Sequence, residues 1–170
     1  FAIGCTHGHH HKINVPEDID VIIHTGDESN YRSSFLNEPE LMDFINWYSS
    51  LPIPYKLFVP GNHSAAVYHK LVTKKQFKTY GIDLLECESI EVEDLLIYGN
   101  PWTPEFGNWY YNKDRAKMYK IWDTVPKDVD ILISHGPPKG ILDLSTDHTG
   151  KLEYTGCQNL TTQINKGNFK

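Results

Sequence analysis

The sequence predicts an α/β fold. Three observations carry this. Short continuous apolar runs, rich in β-branched residues, alternate with segments whose apolar residues recur at helical spacing. The runs lack the polar alternation of a half-exposed strand, so both faces of their sheet are expected to be covered. Four of them end in a Gly-bearing turn that also carries His, Asp or Asn. Taken alone, the pattern favours a single open sheet with right-handed crossovers and a site beyond the carboxyl ends of its strands.

The elements follow in order. Residues 1–4 form a short apolar strand that opens into Cys5-Thr6-His7-Gly8 and the run His9-His10-His11. Asp20 to His24 is a buried strand ending at Thr25-Gly26-Asp27. Leu41, Phe44, Ile45 and Tyr48 lie at helical spacing, which predicts a helix from Pro39 to Ser50. Tyr55 to Val59 is the next strand, ending at Pro60-Gly61-Asn62-His63. A helix is expected over Val67 to Tyr80, two or three strands over Ile82 to Tyr98, and a helix over Asn112 to Trp122. Ile131 to Ser134 is a buried strand ending at His135-Gly136-Pro137-Pro138, and Gly156 to Lys166 reads as a last helix.

Composition narrows the function. The 170 residues suit one domain on a prior of roughly 150 residues each. The net charge is −6, and a non-specific nucleic-acid binder needs a basic excess. No apolar stretch is long enough for a membrane span, and no signal peptide is visible. Three scattered cysteines suit a reducing compartment, so a cytoplasmic location is expected. Nine histidines are the positive signal, because imidazole is the commonest metal ligand and a ready proton donor.

Each strand-end motif by itself is an ordinary turn, and the run His9 to His11 reads as a solvated loop. Together they suit phosphoester hydrolysis. That reaction needs charge neutralisation on the non-bridging oxygens, a nucleophile, and a proton for the leaving oxygen. Two divalent metals sharing one carboxylate supply the first two needs. Asp27 is the natural bridge, His7 suits one metal, Asn62 and His135 suit the other, and His63 is free to donate a proton.

The ordered set Thr6-His7-Gly8, Gly26-Asp27, Gly61-Asn62-His63 and Ser134-His135-Gly136 resembles the calcineurin-like metallophosphoesterases. Their small subgroup known as metallophosphoesterase-domain proteins is similar at His24-Thr25-Gly26-Asp27, Leu51-Pro52, Asn100 to Phe106 and Asp130 to Pro138. The resemblance implies a β-sandwich of two mixed sheets flanked by helices, in place of the single open sheet. It implies two divalent ions (Mn, Zn, Fe or Mg), with His7 on the first, Asp27 bridging, and Asn62 and His135 on the second. His63 matches the histidine that protonates the leaving group.

Three departures stand out. Cys5 occupies the position of the first-motif Asp, which makes it a softer candidate ligand. Ser64 stands where a carboxylate normally orients the histidine. No Gly-His-x-His segment follows the last helix within residues 1–170, a single domain on this reading. His9, His10, His11 or His148 could substitute, although their spacing gives no support.

Two functions follow. One is a two-metal phosphodiesterase acting on a nucleotide or cyclic nucleotide, with Trp102 and Phe106 of the aromatic segment 102–111 as a lip for a base. The alternative is a weakened or inactive binding module of the same fold, with a protein partner.

Overall fold

The computed structural model describes residues 1–147, 149–167 and 169 of the chain. His148, one of the alternative ligands considered from sequence, lies outside them.

Strands β1 (Ala2–Ile3), β2 (Val21–His24), β3 (Tyr55–Phe58) and β4 (Asp83–Leu84) form a parallel sheet in that order. Strands β5 (Glu88–Val92), β6 (Leu95–Asn100) and β9 (Ile131–Ser134) form a mixed sheet. Its β5–β6 pair is antiparallel and its β6–β9 pair parallel. Two small ribbons complete the strands: β7 (Thr103–Pro104) with β8 (Asn112–Lys113), and β10 (Leu144–Thr146) with β11 (Leu152–Tyr154).

The apolar runs explain the layering. Successive side chains on a strand point to opposite faces. Leu57 and Val59 pack with Ile97 and Ile133 in a core between the two larger sheets. Ile22 and Phe58 point the other way, onto Phe44, Ile45 and Tyr48 of α1 (Ser34–Ser50). Tyr98 and Leu132 face Met118, Trp122 and Leu160 in the third core, beneath α4 (Tyr119–Trp122) and α5 (Gln158–Lys166). The order is therefore helix, sheet, sheet, helix. This replaces the single open sheet: an all-apolar strand reports that both faces are covered, not whether a helix or a sheet covers them.

Several bounds differ from the sequence expectation. Helix α1 begins at Ser34 and carries Pro39 inside it. Its first turn exposes Phe35 and Leu36 and buries Asn37, so it has no apolar stripe to read. The segment expected as one helix from Val67 splits into α2 (Ala65–Tyr68) and α3 (Lys74–Thr79), the latter started by a Thr73–Gln76 capping box. The helix expected from Asn112 is confined to α4. Before it come β8 and a 3₁₀ turn at Arg115–Lys117, where the Asp114 side chain accepts the Ala116 N–H at 2.8 Å.

The loops after β1, β2, β3 and β9 meet at one end of the sandwich. Tyr48 of α1 pins the sheet beneath them, its hydroxyl lying 2.9 Å from both the Ile22 and Leu57 carbonyls.

Candidate metal centre

Asp27 stands at the middle of the site. Its Oδ2 lies 3.9 Å from His7 Nε2 and its Oδ1 lies 3.5 Å from His135 Nε2. Asn62 Oδ1 is 2.9 Å from the same His135 nitrogen. His63 lies alongside, its ring centroid 4.7 Å from that of His7 and its backbone N–H donating to Asp27 Oδ1 at 2.7 Å. Cys5, His7 and Asp27 offer ligand atoms that all lie within 4.8 Å of one another. The structure thus brings together His7, Asp27, Asn62, His63, His135 and Cys5.

The backbone is bent to do this. Cys5, His7 and Asp27 have φ of 50°, 43° and 56°, in the left-handed region that is costly for residues with a side chain. Ladder-like bonds hold the two loops together: Cys5 N–H to Gly26 O, His7 N–H to Asp27 O, and Gly8 N–H to Glu28 O, at 2.8–3.0 Å. Gly26 and Gly61 allow the close approach. A Cβ on Gly61 would stand 2.6 Å from Asp27 N and from His135 Cε1.

Each histidine is aimed by a carbonyl. The Nδ1 atoms of His7, His63 and His135 lie 3.2, 2.9 and 2.8 Å from the Ser29, Asn30 and Thr25 carbonyls. A carbonyl only accepts, so each Nδ1 carries a proton and Nε2 is the ring atom each histidine presents to the site. Around His135 Nε2, Asn62 Oδ1 lies at 2.9 Å and Asp27 Oδ1 at 3.5 Å, so one nitrogen and two oxygens converge on one point. Imidazole nitrogens, a carboxylate and an amide oxygen converging in this way are the donor types a divalent cation takes, so the donor set fits a metal.

Residues not singled out from sequence support the site. Glu28 is fully buried, and burial pushes its carboxyl up to about 7. It accepts hydrogen bonds from Ser64 Oγ at 2.6 Å and Ser29 Oγ at 3.0 Å. Ser64 in turn accepts the Gly61 N–H at 2.9 Å. Ser64 therefore braces the Gly61 turn, whereas the Asn30 carbonyl orients His63. Asn30 and Tyr31 donate their N–H groups to Glu40 Oε2 on α1, and Asn37 donates to the carbonyls of Tyr31 and His63. Buried His24 takes the Gly26 N–H on Nδ1, so its Nε2–H donates to Thr6 Oγ1 at 3.1 Å. Burial, then the nearby histidines His135, His10 and His7, lower its pKa to about 3. Desolvation and then the Asp27 charge raise the Cys5 thiol above its ordinary value. Glu28 and Asn37 carry no sequence signal, because a lone polar residue near a turn is ordinarily solvated.

The aromatic segment is placed differently from expectation. Trp102 is half-buried and packs on Tyr111 and the core beneath α4, while Phe106 is exposed. Trp109 is the ring at the site, 4.3 Å from His63, with the Arg32 guanidinium 5.0 Å from its centroid. Five aromatics in ten residues carry no sequence signal as to which one faces the loops. His10 is also fully buried rather than solvated. No described helix is long and apolar enough to cross a membrane.

Known proteins place this arrangement. Metallophosphoesterase domain-containing protein 1 of Homo sapiens is 31% identical over 189 residues, covering 97% of this chain and 55% of that protein. The UPF0046 protein K07C11.7 of Caenorhabditis elegans is 28% identical over 178 residues, covering 97% of this chain and 58% of its own. A probable rhamnogalacturonate lyase C of Emericella nidulans is 32% identical over 146 residues, 80% of this chain but only 13% of that protein. The chain spans about half the length of the first two relatives. Residues 2–164 match the family described as calcineurin-like phosphoesterase, and with the layered sheets and the strand-end site already in view, the chain belongs to that family.

Proposed function

We propose that the chain hydrolyses phosphoesters, specifically phosphodiesters of a nucleotide or cyclic nucleotide, at a binuclear divalent-metal centre. The observation that carries this reading is Asp27. Its two oxygens face two separate histidines, as a bridging carboxylate requires. His7 and Cys5 would hold one ion, and Asn62 and His135 the other, with Asp27 shared. When bound, the ions supply charge stabilisation for the phosphoryl oxygens and activation of the nucleophile.

The chain's own residues do the rest. His135 and Asn62 hold ligand atoms fixed by the Thr25 carbonyl and the Gly61 turn, so little reorganisation accompanies binding. His63 keeps its Nδ1 proton on the Asn30 carbonyl throughout, so the ring acts in its doubly protonated form: Nε2, protonated before the step, gives that second proton to the leaving oxygen and the ring returns to the neutral form. Trp109 packs on that ring and fixes its tilt. Arg32, beside Trp109, offers a cation to a substrate phosphate at the rim. A base-binding role for Trp102 and Phe106 gains no support from their placement. Three unpaired cysteines among the described residues support a cytoplasmic location.

One observation favours a second reading, a weakened or inactive binding module with a protein partner: a thiol stands where the hard first-motif carboxylate is expected, and thiolate prefers softer metals than Mn²⁺ or Mg²⁺. The test compares wild type with Cys5→Asp on 2′,3′- and 3′,5′-cyclic nucleotides, in Mn²⁺ or Zn²⁺. Turnover that requires metal, with Cys5→Asp shifting the preference toward Mn²⁺, supports the enzyme and a ligand role for Cys5. Absence of turnover in both proteins with both metals supports the module.

A further inference from the structure

We propose that His10, His11 and Asp43 form a separate site for a single transition-metal ion of the Zn²⁺, Ni²⁺ or Cu²⁺ type. The three residues lie outside the centre built on Asp27, and their ligand atoms all lie within 4.8 Å of one another. His10 Nε2 stands 3.2 Å from Asp43 Oδ2, and His11 Nε2 stands 3.1 Å from the same oxygen. Two ligands on a tetrahedral ion, with bonds of about 2.0–2.1 Å, are separated by roughly 3.3 Å, so the spacing suits a shared cation.

The independent observation is His10. Its side chain has no exposed surface, yet neither ring nitrogen makes a hydrogen bond; the approach to Asp43 has the distance of an ion pair but not the direction of a hydrogen bond. Buried polar atoms are nearly always partnered. The side of His10 away from Asp43 is closed by Phe44 and Trp47, whose ring centroids lie 5.6 and 5.1 Å from its own. Its Nε2 lies 3.2 Å from the Asp43 carboxylate, and a cation would bridge the two. His11 and Asp43 are each 57% exposed, so the ion has an entry path and an open coordination position. Two imidazoles and one carboxylate suit Zn²⁺, Ni²⁺ and Cu²⁺ better than Mg²⁺ or Ca²⁺.

The site joins two elements. His10 and His11 lie in the 3₁₀ turn His10–Lys12, three residues beyond His7, and Asp43 lies on α1. An ion there would staple the loop carrying Cys5 and His7 to the helix that supports the sheet.

The experiment loads the full chain with Zn²⁺ alone and measures metal per chain after dialysis. It compares wild type with His11→Ala, Asp43→Asn and Asp27→Asn. The first two positions are exposed, so both variants should fold. The expected result is one zinc fewer in His11→Ala and in Asp43→Asn, with phosphoesterase turnover unchanged, while Asp27→Asn retains that ion. The affinity of the remaining residues should fall at least about tenfold. A local readout accompanies it: Cu²⁺ should quench the Trp47 component of the fluorescence, defined against Trp47→Phe, in wild type but not in His11→Ala. Equal zinc content in wild type and His11→Ala, or loss of the same ion in Asp27→Asn, would overturn the proposal.

Discussion

At His63, three contacts converge on one imidazole: the Asn30 carbonyl at Nδ1, the Trp109 ring on its face and the His7 ring at its edge. None of these is a bond to Ser64, so the missing carboxylate at that position does not leave the ring unoriented. Replacing His63 by Ala should slow turnover by roughly 10²–10⁴-fold with metal content intact. A substrate with a good leaving group should lose less, and equal losses on good and poor leaving groups would argue against proton donation. His24 makes a different residue-scale prediction. Its folded pKa of about 3 lies below the ordinary 6.5, so the unfolded chain binds its proton first. The stability this residue contributes is therefore complete above pH 6.5 and is lost as the pH falls toward 3. Between pH 6.5 and 5 the loss amounts to about 2 kcal/mol at ~1.4 kcal/mol per pH unit. Denaturant titrations should show His24→Gln less stable at pH 7.5 but flatter across that range. Parallel pH curves for the two proteins would reject the buried, neutral imidazole. Among the candidate residues, His7, Asp27, Asn62, His63 and His135 were legible because each follows a strand in a Gly-bearing turn. Glu28, Asn37 and Trp109 were not, since their roles depend on which side chains the fold brings opposite them.

The site loops depend on elements that cannot spread apart. Gly26 has φ of 104°, and the backbone of Gly61 crosses it so closely that no Cβ fits at either position. Gly61→Ala should destabilise the fold by about 1–3 kcal/mol and reduce metal content, because the added methyl pushes the β3 loop off Asp27 and His135. Thermal melts with and without Mn²⁺ would check it; an unchanged metal-dependent rise in Tm would show that the crossing is not tight. Strands were the most legible elements, because β2, β3 and β9 are apolar on both faces and end at turn residues. Helices were less so. The first turn of α1 packs through Asn37 rather than an apolar stripe, and Asn112–Lys113 joins a strand ribbon beside Thr103–Pro104 that only tertiary pairing reveals.

Across the molecule, the site exists because two sheets end at the same place. His7, Asp27 and the Asn62-His63 pair come from loops of the parallel sheet, whereas His135 comes from β9 of the mixed sheet. The core between the sheets, built on Leu57, Val59, Ile97 and Ile133, therefore sets the distance from Asp27 to His135. Apolar strands show that two faces are covered but not by what, which is why residue patterning alone pointed to one open sheet and the family resemblance to the sandwich. Central to the proposed function is Asp27 bridging two ions across that junction. The most direct measurement is metal content per chain together with phosphodiester turnover, in wild type and Asp27→Asn, after loading with Mn²⁺. Loss of turnover together with most of the metal at both positions is the predicted result, because removing the carboxylate charge weakens both sites at once. Full metal retention with turnover intact in Asp27→Asn would contradict the bridge and the two-ion centre built on it.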